Sequence, residues 1–206
     1  ALRRISSISW PTVLRSGIRY AFKNRFIGKL LFIYGLFTLL CVPAGYLAGL
    51  LVRRTFGNTY WYLTAVEIVG FAGMTAGGVV MSIWGGFRKR ERTLTEGLFA
   101  FGAFAIGMGL TKNFILYLFL MFFYGIALTA AQTSITTLLQ EKSEPAMHGR
   151  VFGLFSTMYA GFLPLGMLLF GPLADLVPLQ WLMAGSGAAL IAIAGIIGVR
   201  LKFRNI

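Results

Sequence analysis

YWYLTAVEIVGFAGMTAGGVVMSIWGGFRKRER, residues 60–92, carries one charged side chain, Glu67, before it meets the basic cluster Arg88, Lys89, Arg90 and Arg92. A bilayer core is about 30 Å thick and takes roughly 20 apolar helical residues to cross. Residues 60–87 therefore read as a membrane-crossing helix whose cationic end stays in the cytoplasm. Five further apolar stretches, 30–52, 94–110, 114–138, 151–174 and 179–199, repeat the signal. The fold class expected is an all-α polytopic membrane protein with six transmembrane helices.

Composition excludes an ordinary soluble domain. Of the 206 residues 57% are hydrophobic and 12% charged, with mean hydropathy +0.77, more apolar surface than a core of this size could bury. A net charge of +13 would point to nucleic acid in a soluble protein, but here the placement of the charges matters more than their sum, and no nucleic-acid partner is expected. Of the 19 Lys and Arg, only Arg53, Arg54 and Lys112 fall at the junctions opposite the basic ones. That asymmetry places both termini in the cytoplasm and requires an even number of crossings.

Cys41 has no partner for a disulfide, and His148 stands in a loop without acidic neighbours at metal spacing. No nucleotide-binding motif occurs, so neither metal nor cofactor is expected, nor an enzyme.

Ahead of the first crossing, Ser9 and Pro11 begin a helical pattern that puts Trp10, Val13, Leu14, Gly17, Ile18, Ala21 and Phe22 on one face. Arg15, Ser16, Arg19 and Lys23 fall on the other. Such a helix lies in the interface against anionic headgroups, the alternative being a solvated linker. Two domains follow, a cytoplasmic linker at 1–29 with the amphipathic helix and a bundle at 30–206. The start at Ala1, with a basic approach to the membrane, reads as the middle of a longer protein.

Glu67 lies about seven residues into its helix, at ~1.5 Å per residue roughly 10 Å from Tyr60. Removal from water disfavours the charged carboxylate, so Glu67 is the proton-coupling candidate. The alternatives are a hydrated site near the outer interface or a structural pair with Arg53 or Arg54. Asp175, between two prolines, suits a turn or cap. Polar stripes run along two helices: Tyr34, Thr38, Cys41 and Gly45 in the first crossing, and Gly125, Thr129, Gln132 and Thr136 in the fourth. With Tyr124 and Tyr117 they either line a cavity or serve helix packing. Pro43 and Pro164 are expected to kink their helices.

SEPAMHGRVFGLF (143–155), RSGIRYAFKNRF (15–26) and GPLAD (171–175) together resemble bacterial major facilitator transporters, the macrolide-efflux group of drug exporters in particular. The resemblance covers the C-terminal six-helix half of that twelve-helix fold. It implies that the six crossings are helices seven to twelve, that the first and fourth line a central cavity, and that an N-terminal half is the missing partner. The loop motifs it assigns are Gly85, Gly86, Arg88, Arg90 and Arg92 in GGFRKRER (85–92), and Gly149 and Arg150 in the later loop. Lys89 stands where the family signature has Asp, leaving the alternative that these arginines only hold the loop inside.

These readings converge on a secondary transporter of the bacterial cytoplasmic membrane that exports a small amphipathic or hydrophobic, drug- or macrolide-like compound in exchange for protons. Its partners would be the lipid bilayer, the small-molecule substrate and protons. Two rivals stand beside it: the membrane domain of an ATP-driven exporter, against which the short loops argue, and a non-transporting domain that binds lipid or a partner.

Overall fold

A computed structural model describes the backbone of residues 24–203 and side chains as far as residue 198. The amphipathic segment expected at 9–23 lies outside the described residues. Among the described residues the chain is all helix: α1 (Arg25–Leu40), α2 (Val42–Gly45), α3 (Ala48–Thr55), α4 (Tyr60–Trp84), α5 (Arg90–Leu110), α6 (Phe114–Lys142), a 3-10 turn (Pro145–Met147), α7 (His148–Leu176) and α8 (Leu179–Phe203).

Local chemistry sets the helix ends. Asn24 Oδ1 accepts from the backbone N–H of Phe26 and Ile27, and Asn113 Oδ1 from Ile115 and Leu116, so each Asn satisfies two orphan donors of a first turn. Gly85, at φ 69°, ends α4 in the left-handed conformation that a side chain disfavours, and Gly86 follows at φ 81°.

Five of the described helices are long and apolar enough to cross a membrane: α4, α5, α6, the 145–176 segment and α8. The expected crossing at 30–52 differs. It starts earlier, at Arg25, and is divided into α1, α2 and α3, none of which reaches the length of a span alone. Pro43 has no N–H to offer Leu39, and Leu47 N–H reaches back five residues to Val42 O, which widens the turn. Backbone bonds from Cys41 to Phe37, Gly45 to Cys41 and Leu51 to Leu47 bridge the two breaks. Val42, Pro43, Ala44 and Ala48 are buried there, and irregular backbone at membrane depth is tolerated where protein shields it. In α7, by contrast, the helix runs on through Pro164 and Pro172.

Hydrophobicity alone cannot hold such helices together, because lipid tails are as apolar as their side chains. Close backbone approach does so instead. A Cβ on Gly73 of α4 would stand 2.2 Å from Phe122 O of α6, and one on Gly125 would stand 2.8 Å from Gly70 O. Gly102 of α5 and Gly187 of α8 meet in the same way, each at 2.6 Å or less from the other's carbonyl oxygen. α5 packs against α6 and α8, and α1 against α7. Phe101, Leu98, Met108, Ile135, Met183 and Leu190 fill the centre. Ile83, Ile115, Leu168 and Leu176, each more than three-quarters exposed or nearly so, face outward, as side chains solvated by lipid do.

The bundle has two chemically distinct ends. At one, Lys142 lies over the Phe26 ring at 5.9 Å and Arg90 pairs with Glu141 at 3.4 Å, joining the start of α1, the α4–α5 loop and the end of α6. At the other, Arg54 of α3 pairs with Asp175 at 2.8 Å and also donates to Ala174 O, placing a cation on the carbonyl end of α7. Gly73→Ala is expected to destabilise the bundle by about 1–3 kcal/mol through overpacking, while Gly78→Ala, which meets nothing within 4 Å, leaves it unharmed. Thermal unfolding of the detergent-solubilised protein measures both.

Candidate functional site

A cavity of about 390 Å³ opens where α1, α2, α4, α6 and α7 converge. The α1 side gives Tyr34, Phe37, Thr38 and Cys41, followed by Gly45 and Tyr46. From α4 come Glu67, Gly70, Phe71 and Met74. From α6 come Met121, Tyr124, Gly125, Leu128 and Gln132, and from α7 Tyr159.

The inner wall is a network of rings and phenols. Phe37 meets Phe101 edge-on at 5.1 Å, and Phe101 lies 4.4 Å from Tyr124. Tyr124 Oη and Cys41 Sγ are 3.5 Å apart. The missing Cβ of Gly45 leaves room for that hydroxyl, since a Cβ would come within 3.2 Å of it. Tyr34 stacks on Phe155 of α7 at 3.9 Å, with the Thr38 and Gln132 side chains as neighbours of its hydroxyl. At the rim, Tyr46 and Tyr159 share a hydrogen bond of 2.8 Å that joins the α2–α3 break to α7.

Of the residues singled out in the sequence, Glu67, Tyr34, Thr38, Cys41, Tyr124 and Gln132 come together on this cavity, and Thr129 and Thr136 do not line it. Thr129 donates instead at the α4–α6 contact, where Met74 O at 3.2 Å and Gly125 O at 3.1 Å both face it. Thr136 donates to Gln132 O within its own helix. Thr38 likewise donates to Tyr34 O, so its proton is already committed although the residue borders the cavity. Tyr117 is fully buried away from the cavity, and its hydroxyl has no partner among the described residues.

Glu67 is exposed on the cavity and makes no hydrogen bond or ion pair with a described residue. Neither arginine weighed as its partner takes that role, for Arg54 holds Asp175 and Arg53 donates to Asn58. Tyr46, Phe71, Met74 and Tyr159 were not singled out from the sequence. Phe71 carried a usable signal, since it falls four residues after Glu67 and so on the same helical face. Tyr159 had none, because nothing local says which face of α7 meets the cavity.

The loop motifs gather at the basic end. Arg90 donates to Gly85 O and to Glu141, so the acidic partner comes from α6, not from the position of Lys89. Arg92 covers the Phe87 ring at 4.7 Å and pairs with Glu96 at 3.7 Å, while Thr93 Oγ1 accepts from Phe87 N–H. Gly86 faces Thr93 so closely that a Cβ would stand 2.8 Å from its hydroxyl. Arg88, Gly149 and Arg150 are exposed. His148 Nε2 lies 3.2 Å from both Gln140 O and Ser143 O, and as both atoms only accept, that nitrogen carries the proton.

Lipid-length helices around an open, aromatic and sparsely charged cavity define a polytopic membrane protein. Residues 3–166 match the model of the Major Facilitator Superfamily, and the chain belongs to that family. It is 26% identical over 183 residues to macrolide efflux protein A of Streptococcus pyogenes, covering 88% of this chain and 45% of the relative. With macrolide efflux protein A of Enterococcus faecalis it is 25% identical over 156 residues, covering 75% and 48%. The chain thus spans about half the length of the curated relatives it matches.

A double-mutant cycle of Arg90→Ala and Glu141→Gln should give a coupling within about 1 kcal/mol, as for exposed ion pairs. Arg90→Ala alone should cost more than Glu141→Gln alone, because it also strips the Gly85 carbonyl of its donor.

Proposed function

We propose that the chain is the C-terminal six-helix half of a secondary active exporter of the bacterial cytoplasmic membrane. It moves a small amphipathic or hydrophobic compound outward in exchange for protons, as a carrier and not as an enzyme. The observation that carries this reading is the cavity, open at the Tyr46, Phe71 and Tyr159 rim and bearing an unpaired carboxylate, Glu67. Such a carboxylate can be neutralised by a proton on one side of the membrane and recharged on the other. The names of the relatives favour efflux of a drug-like compound.

In this reading α1, α2 and α3 together form the first of six crossings, supported by the hydrogen bonds that bridge their breaks. Residues 1–29 are the cytoplasmic linker to an N-terminal half, with 30–206 as the bundle. Both termini are cytoplasmic, in keeping with the segregation of Arg25, Lys29, Arg88, Arg90 and Arg92 from Arg53, Arg54 and Lys112. The missing half covers the open cavity, and rocking of the two halves exposes Glu67, Tyr34, Tyr124 and Gln132 alternately to each side.

In sealed vesicles holding the intact natural polypeptide that carries this chain, Glu67→Gln is expected to remove the pH dependence of export while membrane insertion stays normal. An unchanged pH profile removes Glu67 from the mechanism. A peptide of residues 9–25 should bind vesicles containing anionic lipid and gain helicity, at about 1 kcal/mol per basic residue near the surface. A peptide that remains unstructured on such vesicles leaves a solvated linker in its place.

A further inference from the structure

α7 ends at Leu176, and the residue four positions after Ala174 is Pro178, which has no N–H to give the Ala174 carbonyl. The last turn of α7 holds no basic residue of its own, and Asp175 places a negative charge where the helix dipole disfavours one. Arg54, from the last turn of α3, answers both needs: Nη1 donates to Ala174 O, and Nη2 meets Asp175 Oδ1 at 2.8 Å. Ala174 is buried, while the neighbouring Arg53 turns away to Asn58.

The cavity rim stands at the other end of the same arm. Tyr46 lies between α2 and α3, where its own N–H and that of Leu47 both turn back to Val42 O. A backbone interrupted there and at Cys41 does not by itself fix where Tyr46 points. Nor does the Tyr46–Tyr159 hydrogen bond, because the two residues are 46% and 40% exposed and other polar groups compete for both hydroxyls. One residue past Arg54, the Thr55 hydroxyl is buried without a hydrogen-bond partner. The end of the arm is thus held where local hydrogen bonding alone would not leave it.

We propose that Arg54 is a positioning residue for the cavity: by clasping the carbonyl end of α7 it holds the α2–α3 arm where Tyr46 meets Tyr159. Every group in the clasp and in the phenol pair belongs to this chain, so the arrangement does not depend on what covers the rest of the cavity. An exposed ion pair alone holds little. The bond to the buried Ala174 carbonyl carries the constraint, with the planar guanidinium fixing its direction. The inference rests on the exporter reading only in placing this rim on the path of the exported compound.

Cys41 is buried on the inner wall of the cavity, so the rate at which N-ethylmaleimide labels it reports how firmly the rim is held. Labelling is followed at the Cys41 peptide by mass spectrometry, in the intact natural polypeptide in neutral detergent. Arg54→Ala is expected to raise the rate about five-fold, and Asp175→Asn, which spares the Ala174 contact, no more than about two-fold. Tyr46→Phe should raise it as well. Adding Arg54→Ala to Tyr46→Phe should then change it by less than about two-fold, because both act through the same phenol. Arg53→Ala removes the same charge one residue away and should leave the rate unmoved. An unchanged rate in an Arg54→Ala protein that elutes as a single species overturns the proposal. So do effects of Arg54→Ala and Tyr46→Phe that multiply, or an equal rise with Arg53→Ala. Where Arg54→Ala does not elute as a single species, Arg54→Lys, which keeps the charge without the fork, must raise the rate at least about two-fold or the proposal fails. The expected labelling pattern in a polypeptide that exports nothing keeps the clasp and removes the exporter reading, whereas export with the labelling unmoved does the reverse.

Discussion

Backbone contact between α4 and α6 is the constraint on which the rest of the structure depends. In hydrocarbon no hydrophobic effect pulls helices together, so association rests on how closely they approach. Gly73 against Phe122 and Gly125 against Gly70 bring the two backbones into direct contact, and any side chain there would separate them. Gly70 and Gly125 also line the cavity, so the contact that holds the bundle forms one wall of its cavity. Glu67, one turn before Gly70, is fixed to that wall by a packing requirement and not by a polar partner. Its freedom from ion pairing follows from the same arrangement.

The opposite wall is made by a helix that does not stay regular. Pro43 leaves Leu39 O without its usual donor, and α7 closes over the place, where a Cβ on Gly166 would stand 3.1 Å from that oxygen. The break turns the chain so that Tyr46 reaches Tyr159, and the missing Cβ of Gly45 admits the Tyr124 hydroxyl to Cys41. A local defect in helical geometry thereby supplies phenols to the cavity. A straight helix over 30–52 would pack against α7 differently and would not set Tyr46 at this rim.

Polarity in such a bundle is not the same as availability. Thr38, Thr64, Thr75, Thr95, Thr136 and Thr157 all donate to carbonyls four residues back in their own helices, as hydroxyls deprived of water do. The stripe of the first crossing, Tyr34, Thr38, Cys41 and Gly45, borders the cavity throughout, whereas that of α6 divides. Gly125 and Gln132 reach the cavity, while Thr129 is spent on the α4–α6 contact. The Arg90–Glu141 pair ties the start of α5 to the end of α6 across a solvent-exposed surface.

The sequence by itself determined five of the long helices and the segregation of charge along the chain, because hydropathy over about 20 residues and the placement of Lys and Arg are local properties of the chain. Asn24, Asn113 and Gly85 end their helices by equally local chemistry, although none of them was singled out as a helix end from the sequence. The sequence also singled out Glu67, the one acidic residue deep in an apolar run. Only the tertiary structure decided that the stretch at 30–52 breaks in two places, that Phe71, Met74 and Tyr159 share the cavity with Glu67, and that Thr129 does not. Those outcomes depend on which helix face meets which neighbour. Helices solvated by lipid carry apolar side chains on every side, so periodicity gives no buried face to read, and the contacts of small residues between helices choose it instead.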